Sequence, residues 1–229
     1  MKGKNFLLLL LSLLAVFLTP SKCPAHGFAG KRFFPTTFQV DDPFISDEFS
    51  ILINNMKSGT PSANSTEINI DYSKRLAPRF GLEFHDAYQH ITSAGGDANG
   101  WEDLDVGAKW QFLTNEEHEA IASFGTNVEI GGTGAHQVSD SFSTVSPALF
   151  FGKGFPEFPM QTNFSRDDKG LTTGTVNPGV VWFGKSMELG VAAQVPVNSR
   201  SGRGVGVLGL VHLFIDDLWP AGIGGPIFH

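Results

Sequence analysis

The stretch from Leu104 to Ile130 limits what this chain can become more than any other. Leu104, Val106, Ala108, Trp110 and Phe112 alternate with Asp105, Gly107, Lys109 and Gln111. A period of two turns successive side chains to opposite faces of a strand, so one row meets an apolar phase and the other meets water. After the polar Thr114-Asn115-Glu116-Glu117 the pattern resumes, with Ala120, Ala122, Phe124, Val128 and Ile130 on one face and Ser123, Gly125, Asn127 and Glu129 on the other. Strands of soluble domains usually run to roughly 5 to 6 residues, whereas a tilted strand needs roughly 9 to 11 to cross a bilayer. Both arms are of the longer kind, and the hairpin predicts a sheet whose apolar face touches lipid.

The first residues set that sheet in an exported protein. Lys2 and Lys4 precede an apolar run over residues 6–18, followed by Pro20 and Cys23-Pro24-Ala25. A positive start, a short apolar core and small residues before a cut form a secretory signal, so residues 1–25 are expected to be removed and His26 to begin the exported chain. This takes Lys2, Lys4 and Lys22 from the 16 basic residues and nothing from the 23 acidic ones, for a formal charge of −10. An acidic balance argues against nucleic-acid partners. The sole cysteine, Cys23, leaves with the signal, so disulfides cannot supply stability. No later stretch approaches the roughly 18 consecutive apolar residues of a membrane helix. A mean hydropathy of −0.02 with 27 Gly and 21 Phe instead suits strands that are half polar, which a hydropathy window overlooks.

Residues 26–46 have no sustained period and are expected to form an extended lead-in that packs on or plugs a barrel made by residues 47–229. A first strand is predicted around Phe49, Ile51 and Ile53, then a loop over Ser58–Ser65. A second hairpin carries Ile68, Ile70 and Tyr72 against Phe80, Leu82, Phe84 and Tyr88, turning at Ala77-Pro78-Arg79. Ser93–Gly100 and Gly131–Ser141 are expected to be long loops, and Trp101 to anchor the next strand at an interface. Further strands are predicted at Ser143–Gly152, Thr173–Gly184, Met187–Val197 and Gly204–Ile215, while Gly154–Gly170 keeps no period. The alternation of short turns with long loops is that of outer-membrane barrels, and about 8 to 12 antiparallel transmembrane strands are expected.

Gly30-Lys31-Arg32-Phe33-Phe34-Pro35, Asp41-Asp42-Pro43-Phe44, Gly131-Gly132-Thr133-Gly134-Ala135, Phe150-Phe151-Gly152-Lys153-Gly154, Thr173-Gly174-Thr175-Val176-Asn177-Pro178-Gly179 and Phe214-Ile215-Asp216-Asp217-Leu218 together resemble uncharacterised porin-like proteins of bacterial outer membranes. These are similar to transporters of the phenol meta-degradation type. The resemblance implies a barrel in the outer membrane of a Gram-negative bacterium and transport of small, aromatic-type compounds. Its motifs are turns and strand ends, so they speak to fold more than to chemistry.

The polar row of the predicted strands collects the candidate lumen residues Glu67, Asp71, Glu83, His85, Asp105, Lys109, Gln111, Glu129, Glu188 and Gln194, with Asn69 and Asn127 beside them. In a barrel these line a hydrated, mostly acidic interior, and charge of one sign biases which solutes pass; in a narrow barrel the same side chains instead fill the interior with ion pairs. No catalysis, cofactor or metal is expected. His26, His85, His90 and His118 lack a ligand spacing such as HxH or HExxH. Gly204-Val205-Gly206-Val207-Leu208-Gly209 fits the glycine pattern of a dinucleotide loop but reads as a curved strand, since the chain ends where the acid of such a site would lie. The expected partners are outer-membrane lipid and a small solute. Two alternatives stand beside the channel: a soluble periplasmic β-sandwich or lipocalin-like binder, and an outer-membrane hydrolase using His212 without a GxSxG elbow.

Overall fold

A computed structural model of the chain describes residues 27–29, 32–33, 43–57, 63–93, 96–154, 159–165, 175–196, 204–220 and 222–228. The segment expected to be a signal, residues 1–25, and residues 34–42 of the expected lead-in therefore lie outside the described residues. The strands are β1 (Phe28–Ala29), β2 (Arg32–Phe33), β3 (Glu48–Lys57), β4 (Ala63–Ala77), β5 (Phe80–Ser93), β6 (Gly96–Trp101), β7 (Asp105–Asn115), β8 (Ala120–Glu129), β9 (Thr144–Gly154), β10 (Pro159–Ser165), β11 (Thr175–Val176), β12 (Gly179–Phe183), β13 (Met187–Pro196) and β14 (Gly206–Phe214), followed by a single helical turn α1 (Ile215–Leu218).

β1 and β2 form a small ladder of their own, and the other twelve strands make one antiparallel sheet. Its order is β10-β9-β8-β7-β5-β4-β3-β14-β13-β11, with β6 extending the partner strand of β5 and β12 that of β13. The neighbours follow the sequence, passing over β6 at β5–β7 and over β12 at β11–β13, with one long-range pairing: β14 with β3, from Phe214 opposite Glu48 to Val207 opposite Asn55. The last long strand thus hydrogen-bonds to the first. Among the described residues the sheet ends at β10 on one side and at β11 and β12 on the other, so the expected barrel is an antiparallel sheet without a closing ladder. One end of the sheet carries the tight links Pro78–Arg79, Glu116–Glu119 and Gly184–Ser186, the start of β3 and the end of β14; the other carries the long connections. We call these the turn end and the loop end.

The central hairpin forms as its alternation predicts, β7 against β8 from Asp105–Glu129 to Asn115–Ala120. A register shift at Phe112 lets Leu113 take up the outward phase, so Trp110, Phe112 and Leu113 are all exposed. Three expectations are corrected. Ser93–Gly100 is not a long loop: β5 and β6 continue as a ladder from Tyr88–Trp101 to Ser93–Gly96. Alternation of apolar and polar residues marks only strands with one apolar face, and this polar hairpin carries none. Ala63–Ser65 belong to β4 rather than to the preceding loop, and Pro159–Ser165, within the stretch that keeps no period, pair with β9. The strand expected over Thr173–Gly184 is two pieces. Pro178 has no N–H to give the ladder, and only its carbonyl is used, by Ala193 N at 2.9 Å.

The two faces of the sheet invert the usual distribution. Phe80, Trp110, Phe124 and Leu149 are successive ladder partners across β5, β7, β8 and β9, and all are exposed. Val180, Val191, Gly209 and Ile53 form a matching row across β12, β13, β14 and β3, with Val191 58% exposed. On the opposite face Glu188, Gln194, His212, Lys109 and Ser123 are buried. A water-soluble domain hides large apolar side chains and exposes charges; this sheet exposes whole rows of large apolar side chains and buries charged ones beside Ile121, Phe150, Leu208 and Leu210.

Candidate functional site

The ladder registers place seven polar side chains in one continuous row across the buried face: Glu188 on β13, His212 on β14, Ser50 on β3, Asp71 on β4, His85 on β5, Asp105 on β7 and Glu129 on β8. Direct cross-strand partners bring Cβ atoms to roughly 4.5–5.5 Å, so each member stands beside the next. Four of the seven are carboxylic acids. Asp71 Oδ1 lies 2.6 Å from His85 Nδ1, and its Oδ2 accepts the Ser50 hydroxyl at 3.0 Å. At the other end of the row His212 Nε2 lies 3.2 Å from Glu48 Oε2, and its ring packs edge-on to Phe214 at 4.9 Å. Water reaches the middle of the row, where the side chains of His85 and Asp71 are 35% and 44% exposed, but not Glu188.

Of the ten residues singled out from sequence, Asp71, His85, Asp105, Glu129 and Glu188 fall in this row. Glu83 and Lys109 lie toward the turn end and pair, Nζ to Oε1 at 2.5 Å, with Lys109 also 4.6 Å from the centre of the Phe150 ring. Gln111 lies further still, its Oε1 accepting from Ile45 N at 3.3 Å and its Nε2 donating to Thr114 Oγ1 at 2.7 Å. Glu67 and Gln194 sit toward the loop end on β4 and β13 and are not ladder neighbours of the row. Sequence reasoning missed Glu48, although it keeps the phase of Ser50 and Asn54 and would appear if the alternation of β3 were followed back two residues.

It also missed Asp103, in the break between β6 and β7 at the loop end. Its Oδ1 accepts from Thr133 N and Gly134 N, each at 2.9 Å, and its Oδ2 from Asp140 N at 2.7 Å. Burial by itself would raise its pKa; the N–H groups of Gly134, Asp140, Thr133 and Gly132 outweigh that and hold the carboxyl below its ordinary value. The loop after β8 thereby lies along the edge of β6, where Ala135 N donates to Trp101 O at 2.8 Å. Gly134 is required, since a Cβ there would collide with the Glu102 carbonyl. Beside it, burial and then the charge of Glu67 push the Glu102 carboxyl above its ordinary value; Glu129 and Asp86 add to this and His85 opposes it.

The residues named for other chemistry have structural places. Gly206 and Gly209 lie on β14, not in a loop before a helix. Ser50 stands opposite His212, but its hydroxyl donates to Asp71. Among the described residues no three His, Cys, Asp or Glu side chains are grouped to hold a metal ion. No described helix is long and apolar enough to cross a membrane, a fact that does not bear on strands.

No family model matches this sequence, and no curated protein matches it. Among solved structures, the chain is similar to the N-terminal β-barrel domain of Pseudomonas aeruginosa OprF, at 9% identity, covering 73% of this chain and 96% of that one with a TM-score of 0.21.

Proposed function

We propose that this chain is a porin-like β-barrel of the outer membrane whose acidic interior admits small solutes, cations in preference to anions, without catalysis. The observation that carries the reading is the inverted sheet: an exposed apolar face over β5, β7, β8, β9, β12, β13 and β14, and a buried charged face behind it. Lipid is the phase in which such an outer face is stable, and in lipid a sheet must leave no open edge. The pairing of β14 with β3 joins the first and last long strands into one continuous sheet with β10 at one end and β11 and β12 at the other, and the closed barrel proposed here brings those two ends together. The tight turns at one end and long connections at the other are the arrangement expected of periplasmic and outer sides.

Cation preference follows from the row. Asp71, Asp105, Glu129 and Glu188 face the interior with His85 and His212 as their only basic neighbours in that row, and a ring of acids favours cations through a pore. In planar bilayers under a salt gradient, the purified protein should conduct with a reversal potential of cation-selective sign, and Asp71→Asn with Glu129→Gln should shift it toward zero. Anion selectivity, or a reversal potential indifferent to both substitutions, would contradict the assignment. A second reading, a sealed barrel that binds a solute without passing it, is favoured by one observation: the Lys109–Glu83 pair and Phe150 fill the interior near the turn end. Saturable solute binding with no conductance would select it.

A further inference from the structure

We propose that Pro43–Asp47 is a strap laid along the wall at the turn end, narrowing the interior there and clamped by the Asp47 carboxylate, whose release widens that end; the inference rests on the channel reading above. The strap crosses four neighbouring strands in five residues. Ser123 on β8 donates its hydroxyl to the Pro43 carbonyl, Gln111 on β7 accepts from Ile45 N, Ile45 Cγ2 lies over Gly81 on β5, and Asp47 meets Lys74 and Arg75 on β4. Three inter-strand spacings of about 4.8 Å come to about 14 Å, which five extended residues at about 3.3 Å each can span. Beneath the strap Ile121, Ser123 and Lys109 lose their access to water, and Phe44 packs on the buried pair Ala29 and Ile121.

Its attachments are unequal. Before Asp47 the strap is held by the hydrogen bonds of Pro43 and Ile45 and by the apolar packing of Phe44 and Ile45. At Asp47 the carboxylate, itself buried, accepts from Lys74 Nζ at 2.5 Å and Arg75 N at 3.1 Å and lies 3.3 Å from Arg75 Nε. Lys74 Nζ also donates to the carbonyls of Ile223 and Gly225 at 2.7 and 2.8 Å, and Arg75 Nη2 lies 3.6 Å from Asp216 Oδ2. One cluster, built on the buried Asp47 and the partly exposed Lys74 and Arg75, thus joins the strap, β4 and the tail after β14. The Asp47 carbonyl is held separately by Ile215 N at 2.8 Å, which fixes the hinge while the side chain clamps the arm. Gly81 fits the device: a Cβ there would stand 3.0 Å from Ile45 Cγ2, so the strap rests directly on the wall. Removing one member of a buried ion cluster leaves the others without compensation, so substitution at Asp47 acts on the arm more strongly than loss of either hydrogen bond.

The test places Ser46→Cys in a Cys23→Ser background of the reconstituted barrel and follows both maleimide labelling from water and conductance. Asp47→Ala should speed labelling by about tenfold or more, as local opening exposes Ser46→Cys, and should enlarge the open state. Ser123→Ala with Gln111→Ala, which spares the ion cluster, should do so to a smaller degree and decides the matter where Asp47→Ala does not fold. Faster labelling with no conductance in any variant would uphold the strap and reject the channel. Unchanged labelling in variants that keep the folded gel mobility, whether or not they conduct, would overturn the strap.

Discussion

At the scale of single residues, the position with the clearest consequence is Asp103, which no periodicity announces. One carboxylate takes the N–H groups of Thr133, Gly134 and Asp140 and so pins a whole loop to the end of β6. Asp103→Ala should leave the sheet intact and raise amide exchange at those three residues by about tenfold or more, measured by hydrogen exchange. The pH dependence has a fixed sign. A carboxyl held below its ordinary 3.8 contributes its full stabilisation above that value and loses it as pH falls through the lower folded value, so exchange in this loop should rise only in strong acid. Asp103 was illegible from sequence because its three partners lie 30 to 37 residues away, and nothing local records them.

At the scale of elements, strands with one apolar face were legible and strands without one were not. The arms of the central hairpin, β4 with β5, and β13 each carry a run of alternating side chains, and each forms close to its expected bounds. β6 and β10 carry none and exist through pairing with β5 and β9. The interior row was half legible: the phase of each strand could be read, but which residues stand side by side depends on register, and only the ladders bring Glu188, His212 and Ser50 next to Asp71. Outward positions give the sharpest element-scale prediction. Val191 sits mid-strand on β13 and is largely exposed. Val191→Arg should destabilise the lipid-embedded protein by about 2–4 kcal/mol, read from urea unfolding in vesicles by tryptophan fluorescence. Indifference to the change would place that face in water.

At the scale of the whole molecule, the organising fact is that a twelve-stranded sheet turns charge toward its buried face and aromatic and β-branched side chains outward. The acidic row suits an enclosed interior, and under the proposed reading the sheet curls until its two ends, β10 on one side and β11 and β12 on the other, come together. Closed in that way, such a sheet would leave no ladder bond open to lipid. The decisive property is whether the protein is a closed barrel resident in a membrane. Outer membranes from cells expressing the chain, extracted and run on denaturing gels with and without boiling, give the most direct answer. The account predicts recovery in the membrane fraction and a band that migrates differently after boiling, as a closed barrel resists detergent until heated. A soluble protein with one heat-independent mobility would contradict it.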